Sequence, residues 1–215
     1  MHIGVDEAGK GPVLGPMVAA AVRGEPDALP DGIADSKRLA PERREELAAT
    51  LRERDDIEVG VAFVEPETID DPETDMNRLT VRAQVDAAAD VAVDDDELVC
   101  DAGDVSESRF GRRVREGLAE AGVSVEVRAQ HRADDEHAIV GAASIVAKVE
   151  RDRRVEALAA AYGEVGSGYP SDGTTREFLR EYVREHGILP DCARKSWSTC
   201  ADLMAAHEQS SLGDF

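Results

Sequence analysis

Apolar runs of strand length alternate along this chain with segments of helical period, which restricts it to a sheet covered by helices. Residues 2–6 and 17–22 read as short strands joined by a glycine- and proline-rich turn. Ile57, Val59, Val61 and Phe63 alternate with smaller or polar neighbours, as a half-buried strand requires. Leu98-Val99-Cys100 is a further short strand, and Val123, Val125 and Val127 mark another. Between them, Pro41 opens a helix to about Arg54, with Glu42, Glu45 and Glu46 near its positive end and Leu47 and Leu51 facing inward. Asp75 to Asp90 reads as a second helix, and Ser106 caps a third that reaches about Ala121. A long alanine-rich helix covers about Asp134 to Ala160, with its later part able to form a separate helix. After the turn-rich stretch Gly163–Gly173, helices are expected from Thr174 or Thr175 to about His186 and from Thr199 to Glu208. The expected organisation is a mixed α/β core over residues 1–160, a small helical C-terminal region over 161–208 and a tail over 209–215.

With 215 residues, 42% of them hydrophobic, the chain can bury one substantial core. No apolar stretch approaches the roughly 18 residues needed to span a bilayer, and Asp6 and Glu7 interrupt the segment where a signal peptide would lie. A cytoplasmic protein without membrane association is expected. Cys100, Cys192 and Cys200 form an odd set without a close pair, which suggests reduced thiols and neither a disulfide framework nor a zinc knuckle.

Charge constrains the partners. The formal net charge is -21, and by the rule that a basic patch marks nucleic-acid binding this composition argues against such a partner. At about 1 M salt, however, the Debye length falls to roughly 3 Å, and an acidic surface repels DNA far less. A salt-loving cytoplasm therefore reconciles the charge with a nucleic-acid substrate. Lysine is scarce among the 25 basic residues, and Lys10, Lys37, Lys148 and Lys195 each lie in a segment distinctive for other reasons. A compact ammonium is a point charge suited to phosphate.

The amino terminus reads Ile3-Gly4-Val5-Asp6-Glu7-Ala8-Gly9-Lys10-Gly11-Pro12, two carboxylates delivered by an apolar strand beside a glycine-framed lysine. Two divalent metals roughly 3.5–4 Å apart can bind the oxygens of a scissile phosphate, activate water and stabilise the departing oxygen. Asp6, Glu7, Asp101 and Asp134 are candidate ligands because each sits at an inferred end of a strand or helix. Adjacent residues of a regular strand face opposite sides, so a bend or strand end is expected near Asp6 and Glu7. Gly9 and Gly11 make that departure feasible and permit the backbone to approach a ribose-phosphate closely. A nucleotide-binding loop over Gly4–Lys10 is disfavoured, because Gly11 lacks the hydroxyl that such a loop uses for magnesium and Pro12 suits a continuing helix poorly. Asp134, His137, Gly141, Ser144 and Lys148 share a stripe at helical spacing that can face a charged groove. The ring of Tyr169, in a glycine-bracketed turn, can stack on a sugar or base while Ser171 or Lys148 bonds phosphate.

Together these segments resemble the type 2 ribonucleases H, the ribonuclease HII family, especially its archaeal members. The resemblance runs through Gly4–Gly11, Asp35-Ser36-Lys37-Arg38-Leu39, Cys100–Asp104, His131–Asp135, Ala143–Lys148, Gly166–Asp172 and Lys195-Ser196-Trp197. It implies an RNase H-like core with a small helical C-terminal region, and endonucleolytic cleavage of RNA joined to or paired with DNA. Asp6, Glu7, Asp101 and Asp134 match the family's metal-binding carboxylates, whereas Asp135 should point elsewhere. Gly9-Lys10-Gly11 matches the junction-sensing element, with Lys10 where arginine is commoner. By the same resemblance this segment and Tyr169 recognise the ribonucleotide 2′-hydroxyl and the following deoxyribonucleotide, against all-DNA substrates. The expected reaction is in-line attack by metal-activated water, with Mg2+ or Mn2+ as the ions, leaving 3′-hydroxyl and 5′-phosphate ends.

The tail carries a second feature. Gln209, Leu212 and Phe215 fit the polar, aliphatic and aromatic anchors of a sliding-clamp-binding peptide at offsets zero, three and six, although a further aromatic common in such peptides is absent. The implied role is removal of ribonucleotides from duplex DNA during repair and replication, by a protein whose mechanism requires no partner subunit. Two alternatives remain at this stage: a related nuclease that cuts branched DNA, and a clamp-associated binder of RNA–DNA duplexes that does not cut.

Overall fold

A computed structural model describes residues 1–33 and 39–213, with side chains as far as Gln209. The chain divides into two compact units. One comprises Met1–Ala8, Val18–Phe63 and Met76–Arg151; the other comprises Gly9–Met17, Val64–Asp75 and Asp152–Phe215. The second unit thus joins two earlier segments to the C-terminal one. Backbone pairing accounts for the first of them: Val13 N–H donates to Gly168 O at 2.8 Å, and Leu14 forms a β-bridge with Ala193.

The sheet runs in the order β3-β2-β1-β4-β5, with β1 His2–Ala8, β2 Met17–Gly24, β3 Glu58–Val64, β4 Glu97–Asp101 and β5 Glu126–Gln130. β1 and β2 are antiparallel, with Asp6 opposite Ala20 and Glu7 opposite Ala19. β1–β4 and β4–β5 are parallel, with Val5 opposite Cys100 and Asp101 opposite Gln130. Parallel neighbours need a crossover, and helix α4, Glu107–Glu120, supplies the one from β4 to β5. The Ser106 hydroxyl caps α4 by accepting from Arg109 N–H. The strand and helix pattern implies a sheet covered by helices, and the resemblance implies a mixed one; the structure has both features.

The other helices are α1 (Pro41–Glu53), α2 (Pro66–Ile69), α3 (Met76–Ala89), α5 (Ala133–Glu136), α6 (Ala138–Tyr162), α7 (Gly173–His186) and α8 (Ser198–Gly213). Ala20 and Val22 of β2 pack with Leu47 and Leu51 of α1 and with Val140, Ala143 and Val146 of α6. Gly4 belongs to this face too, because a Cβ there would lie 2.2 Å from the Ile139 carbonyl; only glycine lets α6 start so close to β1. Ile3 and Val5, one residue out of phase, point to the opposite face, where α3 packs against β1.

Three elements depart from the expected positions. β5 begins at Glu126, because Gly122 at φ +88° turns the chain out of α4 and the ladder starts only with Glu97 opposite Glu126. Val123 and Val125 therefore belong to the connection. The long helix is broken at His137, which adopts an extended φ of -122° and whose carbonyl accepts from Val140 and Gly141 N–H. The 134–148 stripe is thus two elements, with Asp134 in a separate single turn. Helix α8 runs to Gly213, so Gln209 lies within it.

In the second unit Val13, Leu14, Val165, Leu179, Ala193 and Cys200 are buried together with Phe178, Trp197 and Leu203 against them. All three cysteines are free and buried. Among the described residues no helix is long and apolar enough to cross a membrane.

Candidate active site

Asp6 and Glu7 occupy consecutive positions of β1, which continues to Ala8, so the strand does not end or bend between them. What ends is the pairing with β4, at Val5 opposite Cys100. The period-two rule then holds, and the two carboxylates meet different helices. Asp6 is 6% exposed and accepts a hydrogen bond from the Ser144 hydroxyl of α6; the Lys148 ammonium in turn donates to Ser144 Oγ at 2.9 Å. Glu7 Oε2 accepts from the Gln84 amide of α3 at 2.6 Å.

Burial, and after it the negative charge of Glu7, pushes the Asp6 carboxyl well above the usual carboxylate range; Asp101 adds to the rise, against the hydrogen bonds from Ser144 and the Glu7 amide. Asp101 ends β4, and its Oδ1 accepts from Ala133 N–H at 2.8 Å. That bond ties it to the turn bearing Asp134, which is half-buried. The Cys100 thiol between these groups is pushed up by burial and then by Glu7, Asp101 and Asp6. Asp135 points elsewhere, paired with Arg132 at 2.9 Å. Among the described residues no three His, Cys, Asp or Glu side chains are gathered closely enough to hold one cation; Asp6, Glu7 and Asp101 accept from different neighbours, Ser144, Gln84 and Ala133.

Gly9, Lys10 and Gly11 follow β1 directly and belong to the second unit. Gly9 has φ +84°, a left-handed conformation that turns the chain out of the strand. The exposed ring of Tyr169 stands beside Gly11, where an added Cβ would lie 3.8 Å from Tyr169 Cε1. Ser171 is exposed in the same turn. The turn is fixed by Asp172, whose Oδ2 accepts from Ser167 N–H at 2.6 Å and whose Oδ1 accepts from Thr174 N–H at 3.0 Å. These donors, Ser167 first, hold the Asp172 carboxyl down to about 2. Lys37 and Phe215 lie outside the described residues, as does the side chain of Leu212; Gln209 is exposed.

Sequence reasoning does not single out Gln84, although a polar residue inside the buried stripe Leu79, Ala83, Val85, Ala87 is the available signal. It also passes over Arg194, adjacent to Lys195-Ser196-Trp197. Arg194 is fully buried and donates to the carbonyls of Gly9, Lys10 and Gly15.

A mixed five-stranded sheet in the order β3-β2-β1-β4-β5, flanked by helices, is an RNase H-like α/β fold. Comparison with known proteins narrows the class. Residues 3–200 match the family model for Ribonuclease HII, and the chain belongs to that family. It is 61% identical over 215 residues to a ribonuclease HII of the halophilic archaeon Halobacterium salinarum, covering 100% of this chain and 99% of that one. The crystal structure of the ribonuclease H2 from Pyrococcus horikoshii superposes with a TM-score of 0.87 at 38% identity, over 97% of this chain and 99% of that one. A ribonuclease HII from Archaeoglobus fulgidus, solved in complex with PCNA, gives 0.81 at 37% identity, over 94% and 96%. The chain is accordingly a ribonuclease H, an endoribonuclease acting on RNA in RNA–DNA hybrids.

Proposed function

We propose that this ribonuclease cuts the RNA strand of hybrids and also cuts 5′ to ribonucleotides embedded in duplex DNA, leaving 3′-hydroxyl and 5′-phosphate ends. The observation that carries the reading is Asp6: a buried carboxyl whose ionisation is opposed by Glu7 and Asp101 is a site of unbalanced negative charge that a cation would relieve. The donors are hard oxygens, which suit Mg2+ or Mn2+ better than softer metals. Asp6, Glu7, Asp101 and Asp134 would hold two such ions. Bound there, the ions would polarise the scissile phosphate, acidify the attacking water and stabilise the leaving ribose oxygen.

The remaining work falls to the chain itself. Ser144 and Lys148 steady Asp6 from one side of the sheet and Gln84 steadies Glu7 from the other. Lys10 and Lys37 offer point charges to phosphate, as does Ser171 a hydroxyl. The Gly9–Gly11 backbone can approach the ribose closely, and the Tyr169 ring beside it offers a stacking surface.

The test is a set of four substrates: a duplex with one ribonucleotide, an all-DNA duplex, a continuous hybrid and a branched DNA. Cleavage of the first at the 5′ side, absent with EDTA and restored by magnesium or manganese, supports the proposal. Cutting of branches alone would reject it for a different nuclease, and binding without cutting would reject it for an adaptor. Asp101→Asn and Asp134→Asn should fold and lose most turnover; wild-type turnover in either removes its assigned role.

For partners, the proposal extends to a sliding clamp engaged through Gln209, Leu212 and Phe215, supported by the Archaeoglobus ribonuclease HII solved with PCNA. Pull-down of the clamp by the full chain, but not by one ending at Glu208, is the expected result. Ribonucleotide removal in repair and replication, by a cytoplasmic monomer, is the biological setting this implies.

A further inference from the structure

In the second unit, one short segment near the C-terminus takes the carbonyl groups of three consecutive residues in the Gly9–Gly11 turn. Arg194 donates Nη2 to Gly9 O at 2.6 Å and Nη1 to Lys10 O at 3.1 Å, and its Nε reaches back to Gly15 O at 3.0 Å. Trp197 Nε1 donates to Gly11 O at 3.3 Å, and the Arg194 guanidinium lies over the Trp197 ring, 5.1 Å from its centroid. The backbones are joined as well: Arg194 N–H donates to Val13 O and Gly15 N–H to Cys192 O, both at 2.8 Å.

The clamping segment is itself anchored. Asp70 accepts from Lys195 N–H at 2.7 Å, from Ser196 N–H at 2.8 Å and from the Ser196 hydroxyl at 2.6 Å. Both oxygens of one carboxylate are thus spent on fixing the two residues between Arg194 and Trp197.

The direction of these bonds has a consequence for the opposite side of the turn. In a trans peptide unit the C=O and the N–H point opposite ways, and no peptide bond among the described residues is cis. With the Gly9 and Lys10 carbonyls aimed at the guanidinium, the N–H groups of Lys10 and Gly11 are aimed away from it. Successive amides turned to one side form a concavity for an acceptor oxygen, such as that of a phosphate or a sugar hydroxyl. Two glycines in three residues would otherwise leave this segment many conformations, and ordering them during binding would cost affinity.

We infer that Arg194, backed by Trp197 and Asp70, is a positioning residue that presets the Gly9–Gly11 amides for a ribonucleotide. This rests on the reading of Gly9-Lys10-Gly11 as the ribonucleotide-sensing element. The choice of arginine follows from the geometry: a planar fork reaches three carbonyls spread over seven residues, which one ammonium cannot do.

The test separates recognition from cleavage. Full-length protein in EDTA and molar KCl is titrated with a duplex carrying one ribonucleotide and with the all-DNA duplex of the same sequence. Wild type is expected to prefer the first. Arg194→Gln should reduce that preference by about tenfold and Arg194→Lys by less, since one ammonium recovers only part of the fork. Trp197→Phe removes a single donor while keeping an aromatic ring, and should reduce the preference by roughly threefold with the thermal midpoint lowered by only a few degrees; it keeps the test decisive if Arg194→Gln fails to fold. An unchanged preference in the folded variants overturns the inference and leaves the sensing role of the turn intact. Affinities for both duplexes falling equally, in step with the thermal midpoint, also overturn it. A wild type with no preference removes the sensing role itself, and the inference with it.

Discussion

Asp6 and Glu7 are adjacent in β1 yet are hydrogen-bonded from opposite faces of the sheet, Asp6 by Ser144 of α6 and Glu7 by Gln84 of α3. A strand can therefore present two carboxylates at one end without a bend, provided a helix on each face supplies a donor. The same arrangement keeps the two charges near enough that Glu7 raises the Asp6 carboxyl, so their placement is held against repulsion by the packing of α3 and α6.

Gln84 is the more exposed to test. It is fully buried, its Nε2 serves Glu7 at 2.6 Å and the Asp101 carbonyl at 3.0 Å, and its Oε1 has no hydrogen-bond partner among the described residues. Both neighbours are acceptors, which fixes the amide orientation: the flipped form would set oxygen against oxygen. Gln84→Leu should cost about 1 kcal/mol in stability, because two half-buried acceptors lose a donor. Turnover on a hybrid should fall at least tenfold as Glu7 loses its support. Denaturant midpoints together with kcat check this, and wild-type turnover would show that Glu7 needs no such support.

Removing the charge at Asp6 should act on stability and activity in opposite directions. Because burial and then Glu7 disfavour its ionised form, Asp6→Asn relieves the folded protein at neutral pH. In EDTA the thermal midpoint should rise, while cleavage in magnesium is lost. A lower midpoint would mean that the hydrogen bond from Ser144 outweighs the repulsion.

Much of this site is legible in the sequence. Ile3-Gly4-Val5 before Asp6, and Leu98-Val99-Cys100 before Asp101, are apolar runs that only a buried strand explains; Asp101 closes its strand as that pattern implies, whereas Asp6 lies inside β1, which runs on to Ala8. Asp134 was less accessible. The helical stripe from 134 to 148 presumes an unbroken helix, but local periodicity cannot register the close approach of Ile139 to Gly4, and the chain leaves the helical conformation at His137. Gln84 and Arg194 were hidden for a similar reason: a buried polar side chain is recognised by its partners, and those lie 77 and 185 residues away in the chain, at Glu7 and Gly9.

The turn bearing Tyr169 should be sensitive to acid. Asp172 has a folded value of about 2, below the roughly 3.9 of an unfolded aspartate, so its bonds to Ser167 and Thr174 stabilise the fold fully above about pH 4. That contribution is lost as pH falls from about 4 towards 2. Asp172→Asn should be less stable than wild type at pH 6, and the gap should close progressively below pH 4. A gap independent of pH between about 5 and 2.5, measured by thermal midpoints, would show that the charge on Asp172 does not hold the turn.

Salt should matter more than any single substitution. A chain of 215 residues with a net charge of -21 repels itself in the folded state, where the charges are brought closer than in the unfolded chain. Raising KCl from about 0.1 to 3 M shortens the Debye length from roughly 10 Å to below 3 Å and removes most of that repulsion. The same screening lowers the barrier to a polyanionic duplex. Both the folding midpoint and the affinity for a hybrid should therefore rise over the first part of that range, whereas a less acidic enzyme loses nucleic-acid affinity as salt increases. A midpoint that stays constant across the titration would show that the acidic surface is no adaptation to salt, despite the 61% identity to the Halobacterium protein.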